Sequence, residues 1–128
     1  MSVLYEGFFV IDELNHTLEK DIEFKHITTE FKPTKTHEYL YGKEAIFIVT
    51  GYGNNNINEG YSVSLISCDN NELIELINNI TIPHITLSVS LEGKPVNTAK
   101  LDFKPTNSFK IRTRFGGFIG KPIFEGGN

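Results

Sequence analysis

Cysteine is nearly absent: Cys68 is the single thiol in 128 residues, beside one methionine and no tryptophan. One thiol cannot close an internal disulfide, so packing must hold the fold, and a reducing compartment is the natural setting. Long apolar runs are missing too. Nothing approaches the roughly 20 residues that a membrane helix requires, and the N-terminal residues lack the basic start and apolar stretch of a secretory signal. A cytoplasmic location and no membrane partner are expected. Positive charge is also scarce. The formal net charge of −4 argues against long duplex nucleic acid as a partner, because such binding depends on neutralising many phosphates.

What is present is the composition of an ordered domain, with 39% hydrophobic and 12% aromatic residues, ten of them Phe. The length suits a single domain over residues 1–128, expected as a monomer. Charge is unevenly spread. Residues 1–30 carry seven acids against Lys20 and Lys25, whereas residues 94–121 carry seven bases against Asp102. A basic C-terminal third either draws a small phosphorylated ligand to one side of the domain or stands solvated on outward strand faces.

Apolar periodicity predicts strands at Tyr5–Ile11, Phe24–Phe31, Glu44–Tyr52, Tyr61–Ser67, His84–Leu91, Val96–Phe103 and Phe109–Phe115. The Gly- and Asn-rich run Gly53–Gly60 reads as a hairpin loop. Leu14 and Leu18, four apart in a polar run, suit a short helix over Asp12–Asp21. Asp69–Asn79 is the clearer helix, capped by Asp69 or Asn70, with Leu73, Ile74, Leu76 and Ile77 as its apolar stripe. Phe115–Pro122, punctuated by glycine, is a last strand or a tail over a site. Together these give a compact α+β fold with mostly antiparallel sheets and a few short helices. Each half offers a strand, a helix and a further strand, which implies two similar lobes around a cleft.

The segments His26-Ile27-Thr28-Thr29 and His84-Ile85-Thr86-Leu87 read alike. Only four histidines are present, so composition alone predicts far less than one His-Ile-Thr, and two occur. On a strand, residues two apart share a face, so each pair presents an imidazole beside a hydroxyl. Two such pairs brought together supply two proton-transfer groups and two donors around one small anion. That is equipment for opening a phosphate ester without a metal. The plainer alternative is a strand histidine merely hydrogen-bonded in place, and the repetition weighs against it. The other two histidines, His16 in the Asp12–Asp21 run and His37 in a polar connection, read as surface residues. The Cys and His residues show no ligand spacing for zinc, so no metal and no cofactor is expected.

Paired His-x-Thr strands mark the 2H phosphoesterase superfamily, and the chain resembles its 2′,3′-cyclic-nucleotide 3′-phosphodiesterase branch. Tyr5-Glu-Gly-Phe-Phe is similar to that branch's opening aromatic strand. His26-Ile-Thr-Thr-Glu-Phe31 resembles the first motif, and His84-Ile-Thr-Leu followed by Pro95-Val96-Asn97-Thr98 resembles the second. Phe115-Gly-Gly-Phe-Ile-Gly-Lys121-Pro122 is similar to its glycine-rich C-terminal stretch. The resemblance implies a catalytic set of His26, Thr28, His84 and Thr86. It also implies that Phe31 stacks on the substrate base, that Tyr5 lines the site, and that Val96 lies where backbone approaches the phosphate. Two departures stand out: Ile82 occupies a position that is arginine in vertebrate members, and the span between motifs is short. There is no Gly-x-x-x-x-Gly-Lys-Ser/Thr stretch, so the nucleotide-kinase half of longer relatives is missing.

The expected activity is metal-independent hydrolysis of 2′,3′-cyclic phosphates, on nucleotides or RNA ends, to 2′-phosphates. Histidine, with an ordinary pKa of about 6.5, serves as acid or base near neutrality. The resemblance implies His84 as base towards water and His26 as acid towards the 3′ oxygen. Two other functions use the same residues. One is degradation of 2′,5′-linked or cyclic oligonucleotide messengers, as in viral members. The other is a non-catalytic module for RNA ends, which has no need of two titrating imidazoles.

Overall fold

Short alternating runs of apolar and β-branched residues make this chain mostly strand. The computed structural model describes residues 2–125. Its strands are β1 (Tyr5–Val10), β2 (Lys20–Asp21), β3 (His26–Phe31), β4 (Glu44–Asn54), β5 (Asn58–Cys68), β6 (His84–Val89), β7 (Lys104–Pro105), β8 (Lys110–Phe118) and β9 (Pro122–Ile123). One α-helix, α1 (Asn71–Asn78), and 3-10 turns at Glu38–Leu40 and Pro95–Lys100 complete the elements. The strands join one sheet in the order β2-β6-β5-β4-β8-β1-β3, with β7 on β4 and β9 on β8. Every pairing is antiparallel, which gives a mostly antiparallel fold of the α+β type. No helix among the described residues is long and apolar enough to cross a membrane.

The two expected lobes correspond to two halves of this one sheet. In the first, β1 pairs with β3; in the second, β5 pairs with β6. The third strand of each half crosses over: β4 pairs with β5, and β8 with β1. β4 and β8 then pair with each other at the centre. Five strand spacings of ~4.8 Å would hold β3 and β6 about 24 Å apart in a flat sheet. Their Cα atoms nevertheless come within 8 Å, so the sheet bends round until the two motif strands meet.

Alternation decides which face each side chain takes. Phe8, Ile27, Phe47, Ile85, Ile111 and Phe115 are fully buried, joined by Leu73 and Ile77 of α1. Each contributes roughly 2–3 kcal/mol by leaving water. A one-residue slip of β3 or β6 would bring Ile27 or Ile85 to the outside, so the register is firmly set. His26 and Thr28 flank Ile27, and His84 and Thr86 flank Ile85, and all four take the opposite face.

Three expectations change. No helix forms over Asp12–Asp21, because distant groups take the backbone donors that a helix would use. Thr17 N–H donates to the Glu59 carboxylate at 2.9 Å, Leu18 N–H donates to Ser88 at 3.2 Å, and Lys20–Asp21 pairs with β6. The predicted strand Val96–Phe103 is instead the turn Pro95–Lys100, since Pro95 fixes φ and has no N–H for a ladder. The hairpin loop shrinks to residues 55–57. There the Asn54 and Asn55 side chains accept from the backbone N–H groups of Asn56, Ile57 and Asn58, and Asn56 takes φ +69°. α1 starts as expected, with Asn70 accepting from Leu73 N–H at 2.9 Å.

Candidate active site

Each motif strand is seated on its neighbour through a glycine. Gly7 pairs with Thr28 and Gly60 with Thr86, and both ladders shift register just before the glycine. A Cβ on Gly7 would lie 2.2 Å from the Ile27 carbonyl oxygen, and one on Gly60 2.6 Å from that of Ile85. Only glycine allows such an approach at a bulge. The residues before them, Glu6 and Glu59, are buried carboxylates that accept from the hydroxyls of Tyr41 and Tyr52. This repeated Glu-Gly pair was visible in the sequence, but only its place opposite the two threonines gives it meaning.

On the outer face, the meeting of β3 and β6 opens a cavity of about 680 Å³. All seven sequence-predicted residues line it: His26, Thr28, His84, Thr86, Tyr5, Phe31 and Val96. Phe31 (67% exposed) and Val96 (74%) form its rim. Sequence reasoning missed several of the other lining residues, among them Glu23, Phe24, Ala99 and Phe118. Phe118, at the end of β8, was legible only as part of a glycine-rich tail, because its register against Tyr5 is set by β1.

The two imidazoles are tethered in the same way. His26 Nδ1 lies 2.8 Å from the Phe24 carbonyl oxygen and His84 Nδ1 lies 2.9 Å from that of Ile82, each two residues upstream. A carbonyl only accepts, so Nδ1 carries the hydrogen and Nε2 is left for chemistry. Tyr5 stacks on His26 (centroids 4.4 Å apart, planes at 25°), and Phe118 stacks on Tyr5 in turn (4.8 Å, 13°). Burial under these rings pushes the His26 pKa below the ordinary histidine value. The Phe24 carbonyl opposes that shift, and the nearby His84 adds to it, since a proton on one ring disfavours one on the other. Burial also raises the Tyr5 hydroxyl to about 12, so it stays protonated.

The threonines differ. Thr86 Oγ1 donates to Thr98 Oγ1 at 2.8 Å, whereas the Thr28 hydroxyl has no protein partner among the described residues. Among the described residues, no lysine or arginine lines the cavity. Arg112 pairs with Asp12 at 2.7 Å, Lys104 with Asp102 at 3.0 Å, and Arg114 lies over Phe124. These bases of the C-terminal third therefore stand on outward faces. His37, expected at the surface, is half-buried and donates through Nδ1 to Glu6 at 2.9 Å. Glu6, Glu30 and His37 bring possible ligand atoms within 4.8 Å of one another. That group excludes both motif histidines and lies outside the cavity lining.

The arrangement can take a proton at one Nε2, give one at the other, and donate hydroxyl hydrogen bonds to an anion between them. No family model matches this chain, and no curated protein matches it either.

Proposed function

We propose that the chain is a 2H-type phosphodiesterase that hydrolyses 2′,3′-cyclic phosphates, on nucleotides or RNA ends, to 2′-phosphates without a metal. One observation carries this reading: both His-x-Thr pairs line one cavity, with each Nδ1 tied to a carbonyl and each Nε2 left over. The cavity volume lies within the roughly 300–1,000 Å³ of small-molecule sites.

One imidazole takes a proton from water as its oxygen bonds to phosphorus. The P–O3′ bond breaks, and the other imidazole protonates the departing oxygen. Thr28 and Thr86 donate to the non-bridging oxygens as charge builds there. The resemblance would make His84 the base, but burial points the other way. Burial disfavours a proton on His26, which suits it to accept one and leaves the donating role to His84. Phe31 offers an exposed ring for the base, where stacking contributes ~1–3 kcal/mol.

Charge supports one substrate class over another. Asp12, Glu13, Asp21 and Glu23 line an adjoining groove of about 550 Å³, and Glu23 belongs to both concavities. Lys25, also in that groove, pairs with Asp21, and Arg112 pairs with Asp12, so Glu13 and Glu23 are the carboxylates that repel a second phosphate on that side. That repulsion favours a mononucleotide or a chain end over 2′,5′-linked or cyclic oligonucleotide messengers.

Chelator-treated protein should convert 2′,3′-cyclic AMP to 2′-AMP, read by chromatography. His26→Ala and His84→Ala should each lower kcat by about 10²–10⁴-fold. Activity lost with the chelator, or kept in both variants, overturns the proposal. Binding without turnover in the wild type would support the non-catalytic module instead.

A further inference from the structure

Of the two His-x-Thr threonines, Thr86 is the one whose hydroxyl is held by the protein among the described residues, and the Thr98–Asn58 pair behind it is buried. Thr98 is 0% and Asn58 1% exposed. Asn58 Nδ2 donates to Thr98 Oγ1 at 3.1 Å and to the Lys94 carbonyl at 2.7 Å, and Thr86 Oγ1 donates to Thr98 Oγ1 at 2.8 Å. Three elements are thereby joined: Asn58 begins β5, Thr86 is on β6, and Thr98 is on the turn Pro95–Lys100. Close packing fixes them further, since a Cβ on Gly60 would lie 2.5 Å from the Thr98 methyl carbon.

We infer that Asn58 and Thr98 are positioning residues, which set the side-chain rotamer of Thr86 so that its hydroxyl meets the phosphate. This rests on the proposed function and adds two residues to it. A threonine on a strand can turn either its methyl or its hydroxyl into a given direction. The 2.8 Å bond to Thr98, much shorter than the 3.4 Å contact with the Pro95 carbonyl, selects one of these. Asn58 in turn holds Thr98, because both of its amide hydrogens are spent on Thr98 and on the carbonyl just before Pro95. When an anion enters, the Thr86 proton swings from Thr98 to a phosphate oxygen by rotation about Cβ–Oγ1 and no heavy atom moves. The neutral bond is exchanged for a stronger, charge-assisted one. The same network holds the Pro95–Lys100 turn, from which Pro95, Val96 and Ala99 line the cavity. Thr28 has no such support, so the two threonines are not equivalent. Thr86 is the preset donor.

The test combines Thr98→Val, which keeps shape and loses the hydroxyl, with Thr98→Ser, which keeps it. On 2′,3′-cyclic AMP, Thr98→Val should lower kcat about tenfold with KM changed less than about twofold, and Thr98→Ser should restore kcat to within about twofold. In a Thr86→Ala background, Thr98→Val should add no further loss, because the two act through one hydroxyl. A purely structural role would instead give additive losses. Additive losses, or unchanged kcat in a folded Thr98→Val, overturn the inference. Should Thr98→Val fail to fold, Asn58→Ser in the same two backgrounds gives the same reading. If the wild type turns over no cyclic phosphate, the proposed function falls by itself. The inference is then decided by titrating inorganic phosphate while following the Thr86 methyl NMR signal. A shift lost in Thr98→Val but kept in Thr98→Ser upholds it, and no such difference overturns it.

Discussion

Histidine Nδ1 atoms tied to backbone carbonyls leave each ring one working nitrogen, and burial then separates the two rings. The pKa of His26 is lowered, so its neutral form persists to a pH below the ordinary histidine value of about 6.5. As the proposed base it must be neutral, so on the acid side activity should fall only below that pH, while the need for a protonated donor limits it on the alkaline side. The apparent pKa of the acid limb of kcat/KM should therefore lie under about 6.5, as a property of the coupled pair. Tyr5→Ala uncovers the face of His26 and relieves the burial that depresses it. In that variant the acid limb should move up towards 6.5 in a pH–rate series, and an unmoved limb would count against His26 as the base. Phe31 makes a different case. At 67% exposure it adds little to the core, so Phe31→Ala should raise KM about tenfold and leave Tm within a degree or two. A comparable fall in kcat at unchanged KM would remove its stacking role.

At the scale of elements, the fold depends on two bulges that bring motif strands against glycine. Gly7→Ala would place a methyl 2.2 Å from a backbone oxygen that no rotamer change can move. It should destabilise the domain by about 2 kcal/mol or more and lower Tm by about 5–10 °C, read by thermal denaturation. A neutral outcome would mean that β1 and β3 are not bulged there. Much of this layer was legible in the sequence. β4, β6 and the Asn70-capped α1 follow from period and capping, and the two His-x-Thr pairs stood out because the motif occurs twice. The illegible parts are those where distant groups override local pattern. Glu59 and Ser88 capture the donors of Thr17 and Leu18 and so abolish a helix that Leu14 and Leu18 suggest. Phe118, Asn58 and Thr98 reach the site through strand order and a turn, and no spacing in the chain announces them.

For the whole molecule, three groups make stability fall with acid, and their signs agree. Burial alone would raise the Glu59 pKa, yet donors from Tyr52, Ser88 and Thr17 outweigh it and the net shift is down. Hydrogen bonds from the Arg112 side chain and backbone lower the Asp12 pKa. A carboxylate with a lowered folded pKa adds stability above its unfolded value of about 4, and loses it as pH falls through the folded value. His26 acts earlier. The unfolded chain takes up its proton below about 6.5 while the folded one resists, so unfolding becomes easier from that point downwards. Urea midpoints should therefore decline in two stages between pH 7 and pH 3. His26→Gln should flatten the first stage and Glu59→Gln the second. Glu59→Gln also loosens residues 12–19, because Thr17 and Ser88 are anchored on that carboxylate. It should thus be less stable than wild type at pH 7 and closer to it at pH 3. A variant that instead keeps the wild-type acid slope would show that the Glu59 carboxylate carries no charge-dependent share of the fold.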